Sequence, residues 1–138
     1  MDEYLAELDR SGMCLVIWRG GKVVFSSLSK GIRPHLEAIN KLGREGLRGT
    51  VMADKIVGRA AALLMLYSAS AEVHASVITT RARELLEADH VKVYFLREVP
   101  TIKEADGHIN CPFEAMVQGT CDPEEAYSAI VSKLKSMK

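Results

Sequence analysis

The chain has 138 residues, of which 48% are hydrophobic and 26% charged, and its 18 lysines and arginines balance its 18 aspartates and glutamates. This length predicts one domain over residues 1–138, large enough to bury a core without disulfide or metal staples. The balanced charge argues against bulk nucleic-acid binding, and the longest apolar run, from Ala60 to Tyr67, is too short to cross a bilayer, so we expect a cytoplasmic protein that binds neither nucleic acid nor membrane.

The N-terminal part of the chain predicts a short helix followed by an antiparallel hairpin. Apolar residues recur at helical spacing up to Gly12, a residue type that tolerates the left-handed conformation that ends many helices. Residues 13–18 and 22–26 are rich in β-branched and aromatic types, and Gly20-Gly21 between them suits a tight turn.

The middle of the chain predicts two helices separated by a short strand. The first helix starts at Pro34, where the fixed φ of proline suits a first turn, and ends at Gly43. Residues 50–53 predict the strand, and Asp54 then provides the N-cap of a helix that runs to about Ser68. This helix is apolar nearly all round, so we expect it to be buried.

The last third of the chain predicts strand, helix and strand, and then two more helices. Residues 72–79 and 91–96 are apolar strand-like runs, and Thr80 between them is a candidate N-cap. Such a unit predicts parallel strands with a right-handed crossover. Pro112 opens a short helix, and Asp122 caps the last one.

Two segments carry a resemblance to a known family. Asp54-Lys55-Ile56-Val57-Gly58 and Cys111-Pro112-Phe113-Glu114, in this order of elements, resemble a small family of unknown function assigned to the cytidine deaminase-like fold. The resemblance implies an α/β protein, a three-layer α/β/α sandwich with a mixed sheet that includes an N-terminal antiparallel hairpin. It implies no established activity.

The zinc motifs of true deaminases are incomplete in this chain. Deaminases bind zinc through His-x-Glu or Cys-x-Glu at one helix start and Pro-Cys-x-x-Cys at the next. His35-Leu36-Glu37 matches the first motif, but Asp54 and Lys55 stand where the second is expected, and a lysine repels a cation. We therefore predict no metal and no cofactor, with a residual zinc-dependent deaminase as an alternative. A solvated helix face is the simpler interpretation of His35 and Glu37.

The predicted junction at Asp54 and Lys55 is the first candidate site. Ligands of open α/β sheets bind at such strand-to-helix junctions, against free backbone amides. Asp54 is equally explained as a helix cap. A cation in a first turn opposes the helix dipole, so Lys55 either reaches solvent or faces an anionic ligand. Gly58 would let a strand or loop approach closely, and Arg59 would extend the same basic edge.

A second junction follows the next predicted strand. Thr80 and Arg81 stand there, and two such junctions side by side favour a phosphate or carboxylate ligand. The alternative for Arg81 and Arg83 is a solvated face balanced by Glu84 and Glu87.

Cys111 is the strongest single candidate for reactivity. It precedes Pro112 at a predicted helix start, where amide dipoles favour the nucleophilic thiolate. The alternatives are a small buried apolar role, and a capping role in which Glu114 serves the same turn. Among the other candidates, we expect His74 to pack within its strand and Cys121 to lie in a turn.

Together these residues predict a site at the ends of the central strands for a small anionic, nucleotide-like ligand. One interpretation is a metal-free transferase with Cys111 as nucleophile, Lys55 stabilising negative charge and Asp54 orienting it. The other is a non-catalytic binding or assembly module. Nothing in the sequence marks an interface, and a homo-oligomer stays open. The predicted catalytic residues are Cys111, Lys55 and Asp54, and the predicted ligand-binding residues are Gly58, Arg59, Glu114, Thr80 and Arg81.

Overall fold

The computed structural model describes residues 2–101, 116–117 and 119–136. Within these ranges it is a mixed α/β structure in which helices flank a five-stranded sheet. In chain order the elements are α1 (Glu3–Ser11), β1 (Leu15–Arg19), β2 (Lys22–Ser27), α2 (Arg33–Leu47), β3 (Val51–Val57), α3 (Arg59–Tyr67), β4 (Glu72–Thr79), α4 (Thr80–Ala88), β5 (Lys92–Val99) and α5 (Pro123–Ser136). None of the described helices is long and apolar enough to cross a membrane.

The sheet has the strand order β2-β1-β3-β4-β5 and combines antiparallel and parallel pairing. β1 is antiparallel to both of its neighbours, β2 and β3, whereas β3, β4 and β5 are parallel. Gly20 and Gly21 join β1 to β2 with φ of 58° and 80°, the left-handed backbone that a two-residue hairpin turn requires. The predicted N-terminal hairpin is therefore confirmed.

One edge of the sheet collects the ends of four strands. β2 and β3 are each antiparallel to β1, so β2, β3, β4 and β5 all point the same way. We call this end of the sheet, where the four strands end, the carboxyl edge. It is distinct from the borders of the sheet that the outermost strands β2 and β5 form. The helices α2, α3 and α4 follow β2, β3 and β4 along the chain, so each of them starts at this edge.

Apolar side chains cover both faces of the sheet. On one face, Leu5 and Leu8 of α1 pack against Val16, Trp18 and Ala53. On the other face, buried residues of α2, α3, α4 and α5 form the larger core. As the all-round apolar pattern predicts, α3 is deeply buried, and each of residues 60–65 is at most 3% exposed.

The boundary between β3 and α3 differs from the prediction. β3 continues through Asp54 and Lys55 to Val57, and α3 begins only at Arg59. The reason is pairing on both sides, because β3 lies between β1 and β4 and Asp54 is opposite Leu15 on one side and Ala75 on the other. Sheet pairing therefore overrides the local capping signal of Asp54.

Two further boundaries shift by short distances. Thr79, not Thr80, is the N-cap of α4, since its side chain accepts a hydrogen bond from the backbone N–H of Ala82 at 3.2 Å. Gly43 does interrupt α2 as predicted, with φ 68° and ψ 171°, but helix resumes after it and reaches Leu47.

The last predicted helix is confirmed as α5. Asp122 Oδ1 accepts a hydrogen bond from the backbone N–H of Glu124 at 3.0 Å, in keeping with its predicted capping role. Most of the short helix predicted from Pro112 lies outside the described residues.

Candidate functional site

A buried histidine and a buried aspartate meet at the carboxyl edge. His35 Nε2 and Asp54 Oδ2 share a hydrogen bond of 2.8 Å. The side chain of His35 is 1% exposed and that of Asp54 is 7% exposed. The pair joins the first turn of α2 to the middle of β3 across 19 residues of sequence.

His35 and Asp54 can pair because β3 continues past Asp54 to Val57. With Asp54 inside the strand, its side chain turns towards α2 and into the core, where a carboxylate requires a partner. His35 provides it. The prediction of Asp54 as a helix cap is therefore wrong, and so is the interpretation of His35 as part of a solvated face.

Glu37 behaves as the simpler interpretation of the His-x-Glu motif predicts. Its carboxylate is exposed and accepts a hydrogen bond from the hydroxyl of Ser27, at the end of β2, at 2.8 Å. Glu37 thus connects the exposed side of α2 to the hairpin, whereas the side chain of His35 is buried.

Lys55 lies on the opposite side of the sheet from Asp54. Consecutive residues of a strand point to opposite faces, so Lys55 shares the face of Ala53, which α1 covers. Its side chain is exposed, and its backbone N–H donates to the carbonyl of Cys14 at 3.3 Å. The structure therefore does not bring together Asp54 and Lys55, two of the three predicted catalytic residues.

The starts of α3 and α4 lie side by side at the carboxyl edge, as predicted. Val57 and Ile78 are directly paired, so Gly58 and Thr79, which follow them, are neighbours. Gly58 is the N-cap of α3 and contributes no side-chain hydrogen bond, and Arg59 is the first residue of that helix. Thr80 donates to the carbonyl of Val99 at 3.5 Å.

The helices that start at the carboxyl edge share a charge pattern. α2, α3 and α4 have no acidic residue in their first turns, whereas α1 and α5 begin with Glu3 and with Glu124 and Glu125. Arg33 and Arg59 are the first residues of α2 and α3. A helix N-terminus is already positive, so these two arginines add positive charge to first turns that contain no acidic residue.

Comparison with known proteins places the chain in a family. The model described as TM1506, domain of unknown function (DUF1893), matches residues 4–134. The chain belongs to the DUF1893 family. It is similar to the crystal structure of the DUF1893 family protein TM1506 from Thermotoga maritima, with a TM-score of 0.82 and 29% identity over 94% of this chain and 86% of that one. No protein of curated function matches it significantly.

Arg81 of this DUF1893 protein turns away from the paired helix starts. Its Nη2 lies 3.1 Å from the sulfur of Cys121, and its Nη1 lies 3.7 Å from Glu84. These side chains line a groove of about 290 Å³ between α4 and the start of α5. The carboxylates of Glu87 and Glu98 bind Arg83 at 2.6 and 2.9 Å. The alternative interpretation, a face balanced by Glu84 and Glu87, thus describes both arginines.

His74 packs within its strand, as predicted, but with partners that the sequence did not indicate. Its Nδ1 lies 2.5 Å from Asp2 and its Nε2 lies 2.6 Å from Glu72, and its ring lies between those of Tyr4 and Tyr94. Four of these five residues, all but Glu72, line an open groove of about 430 Å³ together with Glu3. Glu72 begins β4, so this cluster lies at the other end of that strand from the carboxyl edge.

The remaining predicted site residues, Cys111 and Glu114, lie outside the described residues of the DUF1893 protein. Within the described ranges, no group of three or more histidine, cysteine, aspartate or glutamate side chains could hold a metal ion. The residues that the structure does bring together at the carboxyl edge are His35, Asp54, Gly58, Arg59 and Thr80.

Proposed function

We propose that this protein binds a small anionic, nucleotide-like molecule at the carboxyl edge, above the buried pair of His35 and Asp54. The observation that carries the proposal is this pair, with side chains 1% and 7% exposed, at the edge where α2 and α3 both begin with arginine. Taking two ionisable groups out of water costs free energy, and such groups are concentrated at functional sites.

We assign the chain, as one domain over residues 1–138, to the cytidine deaminase-like fold. Support comes from the hairpin β1-β2, the parallel strands β3 to β5 with helices between them, and the order β2-β1-β3-β4-β5. The Asp-Lys-x-x-Gly and Cys-Pro-x-Glu segments of the sequence support the same assignment.

The pair of His35 and Asp54 gives the proposed site a group that can act as a general base. A carboxylate bound to one imidazole nitrogen fixes the tautomer, so the other nitrogen is the one that exchanges a proton with a ligand. In the transferase form of the proposal, His35 is the base, Asp54 orients it and Cys111 is the nucleophile. Because Lys55 lies on the other face of β3, Arg33 and Arg59 take over the role of neutralising the ligand.

Thermal denaturation with anions tests the binding step. We expect adenosine or cytidine monophosphate, and more weakly inorganic phosphate, to raise the melting temperature. Arg33→Ala and Arg59→Ala should reduce this increase. Lys22→Ala is the matched control, because it removes an exposed cation at the opposite end of β2. If none of these anions raises the melting temperature, or if all three variants respond alike, the anion site is wrong.

A second experiment tests the buried pair against the zinc alternative. Asp54→Asn keeps an oxygen that can accept from His35 but removes the charge, so we expect the fold to persist and the ligand-induced increase in melting temperature to shrink. Glu37→Gln, on the exposed side of α2, should leave that increase unchanged. Zinc is measured in the same protein, purified without chelator. One zinc per chain would support the deaminase alternative over the metal-free site.

A further inference from the structure

The strand β5 lies at the edge of the sheet opposite to β2. In the described part of the chain β5 pairs with β4 alone. Proteins protect such edges with prolines, bulges, short strands or inward charges, because unpaired backbone groups invite another strand. β5 is eight residues long and contains neither proline nor glycine. Its charged residues, Lys92, Arg97 and Glu98, stand towards its two ends, so the centre of the strand is able to pair on both sides.

The centre of β5 is apolar and exposed. Tyr94, Phe95 and Leu96 are 47%, 39% and 73% exposed, and they follow one another without interruption. On β2, the other edge strand, only Val23 is comparably exposed among the large apolar residues, at 52%. Tyr94 and Leu96 lie on the face of His74, and Phe95 on the opposite face, so both sides of the strand present apolar surface.

The sequence of β5 is complementary to itself. When two copies of β5 run antiparallel about a two-fold axis through Phe95, Lys92 of one strand stands opposite Glu98 of the other. In the same register Tyr94 stands opposite Leu96, Phe95 opposite Phe95, and Val93 opposite Arg97. Opposite charges and apolar pairs at facing positions stabilise antiparallel strands. Arg83 of the same chain forms an ion pair with Glu98 at 2.9 Å, which restricts the position of the Glu98 carboxylate.

We propose that two copies of this chain associate through β5, antiparallel and centred on Phe95, so that the two sheets form one continuous sheet of ten strands. The two-fold arrangement closes on itself, since each edge is used once. It also leaves His35, Asp54 and the starts of α2 and α3 outside the strand-to-strand contact. The association is therefore independent of the ligand proposed above.

Sedimentation equilibrium of the full chain tests the association. We expect a dimer for the unmodified protein, and for Leu96→Arg a dimer dissociation constant at least about tenfold higher, because the arginine then faces Tyr94 at the centre of the interface. Val23→Arg is the control on the other edge and should remain dimeric. A monomeric unmodified protein, or equal dissociation constants for the two variants, would overturn the proposal.

Cysteine cross-linking tests the register. Phe95→Cys places two thiols opposite each other across the axis, within the range of a disulfide, and we expect a cross-linked dimer after mild oxidation. Tyr94→Cys faces position 96 of the other strand and should not cross-link through that residue. The unmodified protein measures the background from its own cysteines. Cross-linking of both variants to the same extent would rule out this register.

A charge exchange tests the same pairing without oxidation. Lys92→Glu and Glu98→Lys should each weaken self-association, because like charges then face each other. Mixed in equal amounts, the two proteins should form a heterodimer in which both pairs of positions 92 and 98 are again opposite in charge. Circular dichroism verifies that Glu98→Lys, which also loses its contact with Arg83, is folded. Should the mixture stay as monomeric as its components, the facing of positions 92 and 98 is wrong.

Discussion

The carboxylate of Asp2 serves two partners at once. Its Oδ1 accepts a hydrogen bond from the backbone N–H of Leu5 at 3.0 Å and so caps α1, while its Oδ2 binds His74. Burial acts to raise the pKa of Asp2, but the hydrogen bonds from His74 and Leu5 outweigh burial and hold that pKa below its ordinary value of 3.8. Asp2 thereby ties the first helix to β4.

The lowered pKa of Asp2 predicts how stability depends on pH. The ionised carboxylate of Asp2 stabilises the folded state. This contribution is complete above pH 3.8 and is lost as the pH falls through the lowered pKa of Asp2. Asp2→Asn keeps a capping oxygen but loses the charge, and should lower the free energy of unfolding by about 1 kcal/mol at neutral pH. Asp2→Ala loses both contacts and should cost about 2 kcal/mol. Urea denaturation across the acid range should show that the difference in free energy of unfolding between Asp2→Asn and the unmodified protein shrinks as the pH falls. A deficit independent of pH would exclude the charge as its cause.

Single residues show what the sequence could and could not predict about the site. The composition of the strand was enough to predict that His74 packs inside it. Its partner Asp2 is 72 positions away, and the partner of His35 is 19 positions away, so no local pattern indicated either pair. Each pair depends on which face of a strand one partner occupies, Asp54 in β3 or His74 in β4, and a shift of one residue reverses that face.

At the scale of elements, Gly43 gives α2 its bend. Its φ of 68° and ψ of 171° fall in a region of backbone space that is essentially restricted to glycine. Gly12, which ends α1, has φ 73° and ψ 6°, a left-handed conformation that other residues adopt at moderate cost. A Cβ atom at either position would meet no heavy atom within 4 Å, so only the backbone distinguishes them.

The two glycines make a matched pair of substitutions. We expect Gly12→Ala to lower the free energy of unfolding by about 1 kcal/mol, and Gly43→Ala by about 2 to 3 kcal/mol. The difference arises because only at position 43 does the native backbone conformation lie outside every φ/ψ region that alanine readily adopts. Chemical denaturation of both variants measures the difference. Equal losses would show that α2 straightens through position 43 instead of keeping its bend.

The elements that local signals define were predicted well, and those that pairing defines were not. Gly20-Gly21 predicted the hairpin turn, the apolar run of α3 predicted its burial, and Asp122 predicted the start of α5. The end of β3 was missed because Asp54 is a good helix cap in isolation. Only the presence of β1 and β4 on its two sides keeps that segment extended.

At the scale of the whole molecule, a stack of side chains joins three helices on the larger core. The guanidinium of Arg44 lies 4.2 Å from the centre of the Tyr67 ring, and that ring stacks on Tyr127 with centroids 4.2 Å apart. Arg44 also donates to the carbonyl of Tyr67 at 2.9 Å. The stack links α2, α3 and α5 on the face of the sheet that lies opposite to α1.

The two faces provide separate reporters of unfolding. Trp18, the sole tryptophan of the sequence, is buried in the α1 core, where Tyr4 contacts it edge-on at 4.8 Å. Tryptophan fluorescence therefore follows the α1 face, and far-ultraviolet circular dichroism is dominated by the helices of the other face. Because both cores share the strands β1 and β3, we expect the two signals to change together as one two-state transition.

Tyr127→Ala tests this cooperativity from the far side of the sheet. Loss of the ring removes the stack on Tyr67 and should lower the free energy of unfolding by about 2 kcal/mol, whereas Tyr127→Phe, which keeps the ring, should lose far less. In a single domain the denaturation midpoint of Trp18 fluorescence must fall by the same amount as that of the circular dichroism, although Trp18 touches none of the altered atoms. If the circular dichroism midpoint falls while that of Trp18 stays in place, the two faces unfold as separate units and the single domain predicted over residues 1–138 is wrong.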